Sequence, residues 1–376
     1  MVILKKPPRG RRPVVFVAPR LRSAASSVRR VFCSSRPSSK IPSRTAQGKA
    51  MLSIVRALAL AAGVIAVTSS PGSAPAQTFP SSRPVTFVVP FAPGGSTDTV
   101  ARIVAQAAGQ PLGVPTVVEN RTGGAGVVGW SAVARSAPDG HTLLTLEMSY
   151  TIAAGLIPTL PFDAKTSFVQ VTTAVENPHV MVVNPKLPAN TVAELITLLK
   201  ANPGKYFFGS GGNGTNTHMG GELFKSLAGV DLVHVPYRGA GAVLQDLVAG
   251  QVQVLVTSLP TALPLIQSGQ LRPLMVAAET RSPVLPDVPS APEAGLPGMV
   301  MKFWVGFAVP AATPPAVVER LNRDIRTGLA QPETKKRLAE LGMDAVGNTP
   351  AQAQALIESE IARWSAIAKA ADIKLQ

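Results

Sequence analysis

From residue 83 onward the apolar positions alternate between two rhythms. Val85-Thr86-Phe87-Val88-Val89-Pro90-Phe91 is almost continuously apolar, as a strand in a parallel sheet covered on both faces should be. Pro93 to Asp98 then turns the chain, and Val100, Ile103, Val104 and Ala107 recur at helical spacing. The same exchange repeats. Strands are predicted at 115–118, 141–146, 180–183, 206–208, 232–235, 252–256 and 271–276. Helices are predicted at 126–134, 243–248 and 262–267, along the stripe Met219, Leu223, Leu227, and after Thr191-Val192-Ala193-Glu194, a capping-box pattern. The stretch between strands 141–146 and 180–183, and residues 282–298, read as irregular. Two Pro-initiated helices close the chain, one from Thr313-Pro314-Pro315 and one from Thr349-Pro350. Repeated strand–helix alternation over about 300 residues predicts α/β architecture, and that length favours two lobes with a cleft between them.

The first 76 residues follow another logic. Met51 and Arg56 precede an apolar run of 11 residues, Ala57 to Val67, and Ala74-Pro75-Ala76 has the form of a cleavage site. As a helix, that run spans about 16 Å, half of a hydrocarbon core of about 30 Å. It therefore reads as a signal peptide over 51–76, with the mature chain starting at Gln77. Residues 1–50 contain 13 Lys and Arg and no acid. They are expected to be a disordered basic leader, upstream of a true start at Met51.

Charge changes its meaning once it is located. The formal net charge is +15, but from residue 57 onward 22 Lys and Arg face 21 acids, a net of +1. A near-neutral body has no electrostatic footprint for nucleic acid. Cys33 is the single cysteine, so the body has no disulfide, thiolate nucleophile or Cys-ligated metal. The four histidines, His141, His179, His218 and His234, lack the H-x-x-x-H spacing of a zinc helix. The chain has no G-x-S-x-G elbow and no phosphate loop.

Three Gly/Ser/Thr-rich turns, 93–98, 122–126 and 210–217, lead into helices. Such turns present backbone N–H groups at the positive end of a helix dipole, a site for a carboxylate or other oxyanion. Charge-assisted hydrogen bonds contribute about 1.5–3 kcal/mol each. A few from opposed turns therefore reach the roughly 8 kcal/mol of a micromolar complex. Asp98, in the first turn of its helix, either stabilises the dipole or orients water or an ammonium group. A second reading rests on two G-x-G-x-x-G matches, at Gly124 to Gly129 and Gly209 to Gly214, each between a strand and a helix. With Glu147 placed as a ribose-binding acid, the first would suit a nicotinamide-dependent oxidoreductase. Packing relief at crowded strand–helix turns explains the same glycines.

Seven fragments, in order, resemble the substrate-binding receptors of tripartite tricarboxylate transporters, the Bug or TctC-like family. They begin at Pro90-Phe91-Ala92-Pro93-Gly94-Gly95-Ser96-Thr97-Asp98, Val118 to Gly126, Ala137 to Leu144 and Gly209 to His218. Val235-Pro236-Tyr237-Arg238-Gly239, Pro286-Asp287-Val288-Pro289 and Ala312-Thr313-Pro314 complete the set. The resemblance implies a type II periplasmic-binding-protein fold, with lobe 1 at 77–178 and 277–376 and lobe 2 at 179–276. It implies a periplasmic receptor, not an enzyme, that needs no cofactor or metal. The receptor would be a monomer that takes a small organic acid to membrane transporter subunits. The implied contacts are Pro93, Gly94, Gly95, Ser96, Thr97, Asp98 and Ser149 from the first lobe. The second lobe supplies Ser210, Gly212, Asn213, Gly214, Thr215 and His218. The family often carries Asp near Gln253 and Thr257. Both acids are absent here, which argues against an amino-acid ligand.

Overall fold

The computed structural model describes residues 79–370 and 373. The predicted leader, signal peptide and start at Gln77 lie outside the described residues. Strands β1 (Val85–Val89), β2 (Thr116–Asn120) and β3 (Thr142–Glu147) pair in parallel in the order β2-β1-β3. They are joined by helices α1 (Ser96–Leu112) and α2 (Val127–Ala134), and β3 runs directly into α3 (Met148–Leu156). Helix α1 stops at Gly113, whose φ of 74° lets its N–H return to the carbonyls of Gly109 and Gln110.

The next strand is the axis of the molecule. β4 (Phe168–Val183) is 16 residues long, and register shifts at Gln170/Thr172, Thr173/Val175 and Met181/Val182 bend it. Residues Phe168 to Pro178 pair antiparallel with β9 (Lys302–Pro310), which in turn borders β3. From His179 onward β4 pairs with β7 (Val254–Ser258) and β8 (Arg272–Ala277). Beyond β7 lie β5 (Phe207–Ser210) and β6 (Val233–Pro236). The sheet thus has two halves that share β4. The second half is wrapped by α4 (Val192–Lys200), α5 (Asn216–Ala228), α6 (Ala240–Ala249) and α7 (Leu259–Gln267). A second chain crossing closes beside the first, where Met301 N–H donates to Ala277 O and His179 N–H to Met301 O.

The C-terminal part returns to the first half as α8 (Pro315–Ala330), α9 (Pro332–Glu340), the short strand β10 (Asp344–Ala345) on β4, and α10 (Pro350–Ala370). Trp130, Trp304 and Trp364 are buried in the core. The Thr191 hydroxyl accepts the Glu194 N–H, as a capping box requires, but Glu194 reaches back to the N–H of Asn190 instead of that of Thr191.

Three features depart from the sequence reading. The stretch read as irregular before 180–183 holds α3 and most of β4. Its Thr, Gln, Glu, Asn and Pro positions break the alternation, because a bulged strand does not keep a period of 2. Strand β9 and helix α9 had no assigned element. The sheet is mixed, with β4 and β9 antiparallel to their neighbours. Residues 282–298 contain no named helix or strand.

Helices α1 and α8 meet at Gly328. A Cβ there would lie 2.7 Å from the Ala107 carbonyl carbon and 2.8 Å from its oxygen. Backbone atoms cannot rotate aside, so Gly328→Ala must push the helices apart. It is expected to destabilise the protein by about 1–3 kcal/mol in urea unfolding.

Candidate ligand-binding site

The turns at the carboxyl ends of β1, β3, β5, β6 and β7 converge on one cavity of about 60 Å³ between the two halves of the sheet. This is where an open α/β sheet presents its helix N-termini and where ligands bind. Gly95 to Asp98 open α1 on one side. Asn216 and Thr217 open α5, and Ala240 and Gly241 open α6, on the other. Thr257, Ser258 and Thr261 come from the end of β7 and the start of α7, and Glu147 and Ser149 from the junction of β3 and α3.

Each half offers an amide to a hydroxyl of the other. Ser96 N–H donates to Thr261 Oγ1 at 3.2 Å, and Asn216 N–H donates to Ser149 Oγ at 3.0 Å. Two helix N-termini, one from each half, therefore border the cavity, each already holding a neutral oxygen of the other half. Ser96 Oγ also lies 2.6 Å from Ser258 Oγ and 2.7 Å from Thr261 Oγ1, and these two hydroxyls are 2.8 Å apart. The cavity is thus lined mainly by neutral donors.

Two carboxyl groups line it with opposite fates. Asp98 is 3% exposed and fully engaged. Arg102 donates from Nε and Nη2, Asn120 from Nδ2, and Gly94 from its backbone N–H. Burial works to raise its pKa, but these partners outweigh it and hold the carboxyl below its ordinary value. Glu147 is 1% exposed and has no cation beside it. Its Oε2 accepts Ser149 N–H at 2.9 Å and Asn216 Nδ2 at 3.0 Å. Its Oε1 has no hydrogen-bond partner among the described residues. Burial, opposed only by hydrogen bonds from Ser149 and Asn216, pushes its pKa up to about 7.

A larger cavity of about 440 Å³ lies where the chain crosses between the halves, lined by Asn177, Ala278, Arg281, Lys302 and Asp344 among others. It is the weaker candidate. No helix N-terminus opens into it, and its cations are paired, Lys302 with Glu176 and Arg281 with Glu293.

The sequence profile of the tripartite tricarboxylate transporter family receptor, TctC, matches residues 100–373. The chain belongs to this receptor family. BugT of Bordetella pertussis is 36% identical to this TctC receptor over 327 residues, covering 86% of this chain and all of BugT. A solved R. palustris protein with adipate is 34% identical at a TM-score of 0.76, covering 79% of this chain and 99% of its own. MatC from Rhodopseudomonas palustris with bound malate is also 34% identical, at a TM-score of 0.73 and with 76% and 98% covered. The fold of this receptor is that of the periplasmic binding proteins of the TctC and Bug type.

Among the predicted contacts of this TctC receptor, Gly95, Ser96, Thr97, Asp98, Ser149 and Thr215 line the cavity. Pro93 and Gly94 are exposed at the tip of their turn, and the Gly94 amide is engaged by Asp98. Ser210, Gly212, Gly214 and His218 form a supporting layer. Gly212 N–H donates to Ser210 Oγ and Gly214 N–H to His218 Nδ1. His218 stacks on His234 with ring centroids 4.0 Å apart. Burial, aided by Lys225, lowers its pKa to about 4, so it is neutral. Asn213 is exposed and does not line the cavity.

The turn at 122–126 does not line the cavity either. A Cβ on Gly126 would fall 2.6 Å from the Trp130 ring, and one on Gly129 2.8 Å from Pro90 Cα, so these glycines serve close packing. The turn at 239–241 takes that place instead. It carries the same strand–Gly–helix signal, and Gly239 ends one of the fragments that carry the family resemblance. Glu147 entered the sequence reading only as a ribose acid. Nothing in its spacing showed that α5 would close over it.

Proposed function

We propose that this TctC receptor is a periplasmic solute-binding protein that captures a small organic carboxylate between two lobes and delivers it to a tripartite tricarboxylate-type membrane transporter. The observation that carries this reading is the pair of helix N-termini bordering the cavity, each donating an amide to a hydroxyl oxygen of the other half. A ligand carboxylate oxygen would take the place of the Thr261 or Ser149 hydroxyl. It would gain the charge-assisted form of the same hydrogen bond, roughly twice as strong. The lobes, 77–178 with 277–376 against 179–276, would part by bending β4 near Pro178 and the neighbouring crossing near Ala277. Such motion at strand ends is the usual hinge closure around a ligand. The relatives solved with adipate and malate support a carboxylate ligand for this chain.

The reading is tested by thermal shift of the secreted form. At ligand near 100 times Kd, stabilisation is about 2.7 kcal/mol, a rise in Tm of about 5 °C. That rise is expected with at least one of adipate, malate, succinate and citrate, and not with NADH or NADPH. A response to the nucleotides alone would favour a nicotinamide-dependent oxidoreductase instead.

A further inference from the structure

Among the described residues lining the cleft, Glu147 is the one with a fully buried side-chain oxygen that lacks a hydrogen-bond partner. Its Oε2 is occupied by two N–H donors, while its Oε1 is buried and unpartnered among the described residues. Among the described residues around it, the charged groups are already paired, Arg363 of α10 with Glu360 included. On α1, Asp98 and Arg102 pair with each other. On β4, burial lowers the pKa of His179 to about 4 despite its contact with Asn216. On α5, His218 is likewise neutral. On α3, the Tyr150 hydroxyl donates to Ala164 O. On β9, Phe303 and Val305 are apolar, and Lys302 pairs with Glu176. Asn216 is oriented by His179, whose Nε2 stands 3.2 Å from Asn216 Oδ1. His179 Nδ1 in turn lies 3.2 Å from the Met301 carbonyl; the group that marks Oε2 as the accepting oxygen is the Ser149 backbone N–H, which can only donate. The acceptor oxygen of the carboxyl is thus fixed, and the other oxygen is the place for a proton.

We propose that Glu147 is a ligand-binding residue that acts as a neutral carboxylic acid, donating its Oε1 hydrogen to an oxygen of the organic anion held in the cleft. This deepens the receptor reading and rests on it. An ionised Glu147 would repel an anion gripped by the nearby amides, whereas a neutral one adds a donor to a cavity already lined with donors. The proton comes from solvent. In the open form water reaches Glu147 and an ordinary carboxylate is restored, so each closure around ligand takes up one proton. The cleft therefore selects carboxylates without a cationic group at this end and binds them more tightly as pH falls.

The test is calorimetric titration of the full secreted protein with adipate, malate, succinate, citrate and aspartate at pH about 6 and about 8.5, in two buffers of different ionisation enthalpy. With Glu147 at about 7, as in this structure, and at an ordinary carboxyl value once water reaches it, binding is expected to be roughly tenfold tighter at the lower pH, after allowance for the acid's own ionisation. It also predicts uptake of close to one proton per ligand there and none at the higher pH. Glu147→Gln supplies a non-titrating donor. It is expected to lose the pH slope of binding. The proton count needs only the wild-type protein, so a misfolded variant does not blunt the test. An acid that binds with no proton uptake overturns the assignment, as does an unchanged slope in Glu147→Gln. Aspartate binding that strengthens as pH rises also overturns it, in favour of an ionised Glu147 reading an ammonium. If none of the acids binds the wild type at either pH, the receptor reading falls, and this assignment with it.

Discussion

Gly95→Val is expected to abolish carboxylate binding and leave the protein folded. Gly95 caps α1 at φ −81° and ψ 168°, an extended conformation open to any residue. A Cβ there meets nothing within 4 Å, so the substitution adds no clash and no backbone strain. The added carbons would instead project toward a cavity of only about 60 Å³ and keep a ligand from the first amides of α1. Loss of two hydrogen bonds to a charged group predicts affinity at least about 100-fold weaker. Tm should move by less than about 2 °C, because no core contact changes. Titration calorimetry and thermal melts of the same preparation check both halves of the expectation. Unchanged affinity would remove the Gly95 turn from the binding site. Gly94, one residue earlier, is a different case. Its φ of 89° strains any side chain by about 1–2 kcal/mol, so a substitution there mixes stability with binding.

Asp98→Ala is expected to damage stability and binding together. The carboxyl ties three parts of the first half: Arg102 one turn on, Asn120 at the end of β2, and the Gly94 amide in the turn. Removing it frees the Gly94 amide and one hydrogen of Asn120 Nδ2, whose other hydrogen still reaches Phe91 O at 3.0 Å. A fully buried pair broken on one side costs about 3–5 kcal/mol. Arg102 is half exposed, so water screens much of the charge and about 2 kcal/mol is the better expectation. The sign of the pH effect follows from the direction of the shift. The Asp98 pKa is lowered in the native protein, so its contribution is present above the ordinary carboxyl value and fades as pH falls through its native value. Urea melts at neutral pH should show the loss, and the gap between wild type and variant should narrow as pH falls below the ordinary Asp value of 3.8. A gap independent of pH would mean that the carboxylate charge is not what holds the turn. Affinity should fall as well, because the freed turn no longer fixes Ser96 and Thr97.

Glu147 and Asp98 show why the site was only half readable beforehand. Both are acids placed next to a helix start, and the sequence gives them equal standing. Asp98 finds Arg102 on the next turn of its own helix, a pairing visible in the spacing of four. Glu147 meets Asn216, 69 positions away, and its chemistry depends on that closure.

The chain itself determined the local chemistry: where β1 ends and α1 begins, and that Gly/Ser/Thr-rich turns would present amides at helix starts. It also placed the excess basic charge in the first 56 residues and left the rest near neutral. These are properties of neighbours in sequence, governed by backbone sterics, capping and periodicity. Tertiary structure decided which turns share a cavity. The sheet order brings 95–98, 215–217 and 239–241 together and sends 122–126 to pack on Trp130. It also slots β9 between β3 and β4, and it turns a stretch without apolar rhythm into the bent strand that joins the two halves. No local rule reaches these choices, because burial, strand order and the facing of distant turns are decided by contacts between segments far apart in the chain.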